Sequence, residues 1–158
     1  MLSASAKEQR YAALATEIAA VTAGEGNLTS RMATTACLLH FGFDAFLWTG
    51  FYLVDPDKEN ELVVGPYQGT MGCLRIPFGQ GVCGAAAEAR QTVIVADVES
   101  FPGHIACDTA SKSEIVVPVF DAEKNLIAVL DVDSAVVSAF DEIDAKWLEE
   151  IVGEIFSV

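Results

Sequence analysis

The sequence predicts an α+β fold, an antiparallel sheet flanked by N-terminal helices and a C-terminal helix. Three observations carry this. Apolar residues recur at helical spacing at both ends of the chain, at Tyr11, Leu14, Ile18 and Val21 and again at Phe140, Ile143, Trp147, Ile151 and Ile155. Between them, β-branched and aromatic runs come in pairs joined by short turn sequences, and strands joined as hairpins are antiparallel. At 158 residues, 52% of them apolar, the chain is long enough to bury one core. One domain over residues 1–158 is therefore expected.

The elements follow in order. "YAALATEIAAV" is the first helix, and "GEGN" breaks it. Asn27 caps a second helix in which Leu28, Met32, Ala36 and Leu39 share a face. "AFLWTGFYLV" and "ELVVGPYQG" are strands joined through the turn "DPDKEN", and "CLRIPF" is a short third strand. "GQGVCGAAAEAR" is a glycine turn that runs into an alanine-rich helix, and "QTVIVAD" is a further strand. "EIVVPVFD" and "LIAVLDVDS" form a second hairpin around "AEKN", before the amphipathic last helix. About five or six strands is an ordinary sheet, and the striped helices must cover one of its faces. Functional residues are expected between Tyr67 and Ser113, because loops on a rigid sheet host sites.

Charge and hydropathy exclude several classes. A formal charge of −14 argues against nucleic acid and anionic membrane surfaces as partners, since phosphate needs a basic face. No apolar run approaches ~20 residues, so no membrane span is expected. The N-terminus lacks the apolar segment of a secretory signal, which predicts a cytoplasmic protein with reduced thiols.

The cysteines then stand out. Cys37, in "TTACLLHF", reads as a small buried hydrophobe. Cys73, Cys83 and Cys107 all fall at element edges or in loops, where joint burial explains them less well. Cys73 opens a predicted strand. Cys83 follows "GQGV" at a helix start, where backbone N–H groups and the helix dipole favour a thiolate. Cys107 lies beside Asp108 and three residues after His104, which either lowers its pKa or holds the loop through a backbone hydrogen bond. Zinc ranks low, because "HIAC" has no CxxC companion and Cys73 and Cys83 are ten residues apart. Thiol redox chemistry fits better: one thiolate attacks and a second thiol displaces it as a disulfide. Two residues apart on one strand, Asp131 and Asp133 share a face, and Glu114 starts the strand before theirs. A solvated strand end and a surface charge are the ordinary readings of these acids. Trp48 and Tyr52, four apart on a strand, also share a face, and core packing is their ordinary reading.

The stretch "GPYQGTMGCLRIPFGQGVCGAAAEARQTVIVADVESFPGHIACDTASKSEIVVPVF", followed by "AVLDVDS", resembles the free methionine-(R)-sulfoxide reductases, a family of single-domain GAF proteins. The resemblance runs through nearly the whole chain, and its most specific parts are "RIPFGQGVCG", "FPGHIACD" and "SEIVVPV". It implies a GAF-like six-stranded antiparallel sheet, a closed pocket, and reduction of free rather than peptide-bound methionine sulfoxide. It further implies a cysteine sulfenic acid and an intramolecular disulfide, no cofactor, thioredoxin as external reductant, and a homodimer. By the same resemblance Cys107 is the attacking thiol, Cys73 the resolving thiol, and Cys83 an auxiliary or alternative partner. Glu114, Asp131 and Asp133 match the pocket carboxylates, and Trp48 and Tyr52 the pocket aromatics.

The chemistry agrees with that assignment. Attack at the sulfoxide sulfur needs a thiolate, and the oxygen must leave protonated, which calls for a carboxylic acid kept neutral by burial. Three carboxylates near one pocket can hold an ammonium and keep a proton to transfer. The aromatic pair offers an apolar slot for a methylthio group. The alternative functions are a small-ligand-binding sensory GAF module without catalysis and a metal-stabilised interaction protein.

Overall fold

A computed structural model describes residues 2–103 and 109–157. Its helices are α1 (Ala4–Thr22), α2 (Leu28–Gly42), α3 (Gly81–Ala89) and α4 (Glu142–Phe156). Its strands are β1 (Trp48–Val54), β2 (Glu61–Gln68), β3 (Arg75–Pro77), β4 (Val93–Val95), β5 (Ser113–Phe120) and β6 (Leu126–Ser134). The six strands form one sheet in the order β3-β2-β1-β6-β5-β4, and every neighbouring pair is antiparallel. The predicted α+β architecture is thus the observed one, with shifted bounds: α1 begins at Ala4 rather than Tyr11, β1 begins at Trp48 rather than Ala45, and β4 keeps only Val93–Val95 of its predicted run.

The pleat divides the sheet's side chains between two cores. Phe51 of β1, Ile115, Val117 and Val119 of β5, and Ala128, Leu130 and Val132 of β6 pack against α1, α2 and α4. Trp48 and Tyr52 of β1, Val116 of β5 and Val129 of β6 point the other way, into a smaller core closed by α3 with Val82, Cys83, Ala86 and Ala87. Both faces are covered, so residues of either sign of polarity can be buried on the α3 side.

Capping sets where the helices begin. Asn27 accepts a bond from Ser30 N at 3.0 Å, as expected for the start of α2. Asp141 and Asp144 form a capping box at the start of α4. The stripe of α1 is rotated from the predicted one: Val21 is 57% exposed and Thr22 is buried in its place. Thr22 can be buried because its hydroxyl donates to Ile18 O at 2.7 Å, which satisfies it within the helix. The last helix also turns, burying Leu148 and Val152 beside Ile151 and Ile155 while Trp147 is only partly covered.

α1 and α4 are tied by charge as well as by packing. Lys7 Nζ donates to Asp144 at 2.6 Å and to Asp141 at 2.9 Å, and the Tyr11 hydroxyl donates to Asp144 at 2.8 Å. Asp144 is 1% exposed, so without Lys7 it would be a buried carboxylate with no cation. The Lys7→Ala change is expected to cost about 2 kcal/mol in urea unfolding, less than a fully buried pair because Lys7 itself reaches solvent. Lys112→Ala, which removes a solvent-exposed pair with Glu99, should leave the midpoint where it is. Equal midpoints for Lys7→Ala and the unaltered protein would show that this network does not hold the two helices.

Candidate active site

The central strands bring the predicted carboxylates and aromatics together at one end of the sheet. In register, Trp48 of β1 stands opposite Asp133 of β6, and Asp133 stands opposite Glu114 of β5. One pleat further in, Asp131 lies between Gly50 and Val116. Trp48, Tyr52, Glu114, Asp131 and Asp133 all line one cavity beneath α3, with Cys83, Ser111, Met71, Gly72 and Val82. The cavity is small, about 40 Å³.

Its two sides differ. On one, the Trp48 ring stacks on Tyr52 at 5.6 Å and on Tyr67 at 5.1 Å, and its Nε1 donates to Thr70 O at 3.0 Å. That fixes the indole as a wall. The backbone N–H of Cys73 donates to the Tyr52 hydroxyl, so the segment before β3 lies on the aromatic ledge. Gly72 permits this approach: a Cβ there would sit 2.8 Å from the Tyr52 oxygen. On the other side, Cys83 Sγ lies 3.9 Å from Glu114 Oε1. One ligand atom each from Cys83, Glu114 and Asp131 all lie within 4.8 Å of one another, close enough to share a cation. The Ser111 hydroxyl donates to Asp133.

Burial governs the charge state of this cluster. Burial, with the neighbouring Asp133 charge next, pushes both Glu114 and Asp131 well above the usual carboxylate range. Asp131 Oδ1 is buried without a hydrogen-bond partner. For Cys83 burial again comes first, followed by the fields of Asp131, Glu114 and Asp133, and the thiol is held well above its ordinary value. This overturns the expectation of a Cys83 thiolate. The residue does sit in the first turn of α3, entered through Gly81 at φ +61°, but three carboxylates and the loss of water outweigh the helix dipole. The Tyr52 phenol is raised by the same causes.

The structure places the other predicted residues as follows. Cys73 lies in the loop between β2 and β3 rather than in a strand, and it is disulfide-bonded, whereas Cys37 and Cys83 are free thiols. His104 and Cys107 lie outside the described residues. Of the cavity lining, Met71, Gly72, Cys83 and Ser111 come from the expected Tyr67–Ser113 stretch, but Trp48, Tyr52, Glu114, Asp131 and Asp133 come from the central strands β1, β5 and β6. Ser111 and the Trp48–Tyr67 stack were not anticipated. Ser111 had a signal, since it lies three residues before Glu114 at the mouth of β5.

The GAF domain family model matches residues 25–156, which accounts for the two-faced sheet and the buried pocket. Among curated proteins, "GAF domain-containing protein A" of Dictyostelium discoideum is 48% identical, covering 96% of this chain and 93% of its own. The free methionine-R-sulfoxide reductase of Escherichia coli K12 is 41% identical, covering 96% of this chain and 90% of its own. A solved structure of the Neisseria meningitidis free methionine-R-sulfoxide reductase with its substrate superposes with a TM-score of 0.90 at 44% identity, covering 98% of this chain and 91% of that one. Within the GAF proteins, this chain belongs to the free methionine-R-sulfoxide reductase family.

The raised carboxyl groups have a consequence for stability. An unfolded Asp or Glu releases its proton near about pH 4, while the folded protein keeps those of Glu114 and Asp131 to higher pH. Stability from these groups is therefore full below the unfolded value and is lost as pH rises toward the folded one. Asp131→Asn removes one such group. Relative to the unaltered protein it should gain stability at pH 8 and lose that gain near pH 4. Thermal melts of both proteins at the two pH values test this; a difference that does not change with pH would contradict it.

Proposed function

We propose that this chain reduces free methionine-(R)-sulfoxide to methionine through its own cysteines, with no cofactor and a thioredoxin-like external dithiol. One observation carries the reading. A small buried cavity pairs an aromatic wall with a carboxylate cluster and is overlain by the loop of a cysteine that is already disulfide-bonded. The wall of Trp48 and Tyr52 suits the methylthio end. The cluster of Glu114, Asp131 and Asp133 suits the α-ammonium, which would relieve buried carboxylates of their missing cation.

The reaction divides among named residues. Cys107 attacks the sulfoxide sulfur as a thiolate. The sulfoxide oxygen takes a proton from Glu114 or Asp131, whose burial raises their hold on a proton above the usual carboxylate range. The hydroxyl passes from the substrate sulfur to the Cys107 sulfur as the bond between the two sulfurs breaks, so methionine leaves and Cys107 is left as a sulfenic acid. The Cys73 thiol then attacks that sulfur, water departs, and a disulfide forms. With Cys37 and Cys83 free, Cys107 is the partner we assign to Cys73. Cys83 stays a protonated wall of the pocket, so its replacement by Ser should slow turnover without preventing disulfide formation.

Racemic free methionine sulfoxide should lose only its R epimer when incubated with the protein and dithiothreitol. Consumption of the S epimer, or of both equally, contradicts the proposal. Cys107→Ser should release no methionine in a single turnover, and Cys73→Ser should release one equivalent and leave a trapped sulfenic acid; the reverse pattern would exchange the roles.

N-acetylmethionine sulfoxide distinguishes the carboxylates' role. Its amide has no charge to offer, so its kcat/KM should fall by 100-fold or more, roughly the cost of leaving a buried carboxylate unpaired. Asp133→Asn should lose activity on the free amino acid while remaining folded. Similar rates on both substrates would mean that the cluster does not read the ammonium. A sensory module predicts ligand binding with no thiol oxidised, which a thiol titration before and after sulfoxide separates from turnover.

A further inference from the structure

From Leu62 to Ala87 the chain has a single charged residue, Arg75, although the whole protein carries a formal charge of −14. The exposed part of this stretch is the loop between β2 and β3, which holds Cys73. There Met71 is 78% exposed and Leu74 73%, one on each side of the half-buried, disulfide-bonded cysteine. Their exposure is not looseness of the loop. The Cys73 N–H bonds to the Tyr52 hydroxyl, and Val64 N donates to Leu74 O at 3.0 Å. The backbone is pinned to the sheet, leaving Leu74 facing water and most of Met71 exposed at the cavity's edge.

Arg75, the stretch's one charge, is engaged by Asp55 and Glu61. An approaching protein therefore meets no unpaired carboxylate of this stretch, whereas the chain's excess of acids repels an acidic partner elsewhere. The apolar, uncharged segment on the Cys73 side of the disulfide suits one kind of occupant. That occupant is a dithiol protein whose reactive thiol is itself ringed by uncharged apolar surface.

We propose that Met71 and Leu74 seat such a dithiol protein, which reduces the disulfide by attack at Cys73 Sγ. The proposal rests on the reductase reading above. The partner's thiolate forms a mixed disulfide with Cys73, and the S–S bond of the resting disulfide breaks, releasing the other cysteine as a thiolate. The partner's second thiol then attacks the mixed disulfide. Cys73 leaves as a thiolate that takes up a proton, and the partner departs oxidised, having supplied two electrons.

The probe is thioredoxin, kept reduced by its reductase and NADPH, compared with dithiothreitol. Leu74→Glu should raise the KM for thioredoxin about tenfold or more and leave the dithiothreitol-supported rate unchanged. Leu74→Met should restore the thioredoxin KM. An unchanged thioredoxin KM, an equal loss with both reductants, or no turnover with thioredoxin where dithiothreitol works would each overturn the docking surface. So would conversion of a dimer to monomers by Leu74→Glu in sedimentation, which would make the patch a contact between copies of this chain. Thioredoxin with its second active-site cysteine replaced by Ser should be trapped on Cys73 by peptide mapping; an adduct elsewhere overturns the attack site. Failure of the reductase reading shows separately, as no methionine formed by the unaltered protein with dithiothreitol.

Discussion

Burial of carboxylates on the central strands is the constraint on which the site depends. Glu114 and Asp131 lie in the smaller core among Trp48, Tyr52, Cys83 and Val116. Water is excluded there, and an ionised carboxylate without a partner is costly. The protein has two ways to meet that cost: keep protons on the acids or accept a cation. The raised proton affinities are the first. On the function proposed above, a free amino acid's ammonium supplies the second, and the same cluster stores a proton when empty and recognises charge when filled, which joins binding to the proton transfer that sulfoxide chemistry requires.

The sheet turns this constraint into geometry. Alternation along β1, β5 and β6 sends one set of side chains to α1, α2 and α4 and the other to α3. Antiparallel register then aligns Trp48, Asp133 and Glu114 across three strands. None of these side chains depends on a flexible loop for its position. The aromatic wall is also fixed, by ring stacking and by the Trp48 bond to Thr70 O. Rigid strands thus hold the aromatic and carboxylate groups while Cys73 lies on the loop between β2 and β3; in the proposed mechanism this separates selectivity from the movement a thiol needs during exchange.

The cysteines show how differently one residue type can be used within one domain. Cys83 lies against the carboxylates and is kept protonated by them and by burial. Cys73 sits on the far side of Tyr52, anchored through its backbone N–H and oxidised. A helix start alone does not make a thiolate; its neighbours decide. The GAF architecture itself does not dictate this chemistry, since folds host many functions. Here the fold carries a carboxylate-lined pocket with Cys83 in its wall.

By itself, the amino-acid sequence determined the element order, the helix stripes, the shared face of Asp131 and Asp133, and the shared face of Trp48 and Tyr52. These are local: helical and strand periods are set by backbone geometry, and Asn27 caps α2 through a neighbour three residues away. The cysteine and glycine motifs of "RIPFGQGVCG" were equally readable, and with them the family. The resemblance implied that Glu114 joins the aspartates, but periodicity could not show it, because strand register brings together residues far apart in the chain. Only tertiary structure decided that Val21 turns outward while Thr22 is buried, since the covering face of α1 depends on how it meets its neighbours. It decided the Cys83 charge state too. The helix dipole is a local effect that the sequence announces, but the three carboxylates that oppose it arrive from β5 and β6, and in a site without water the nearer charges and the lost hydration prevail.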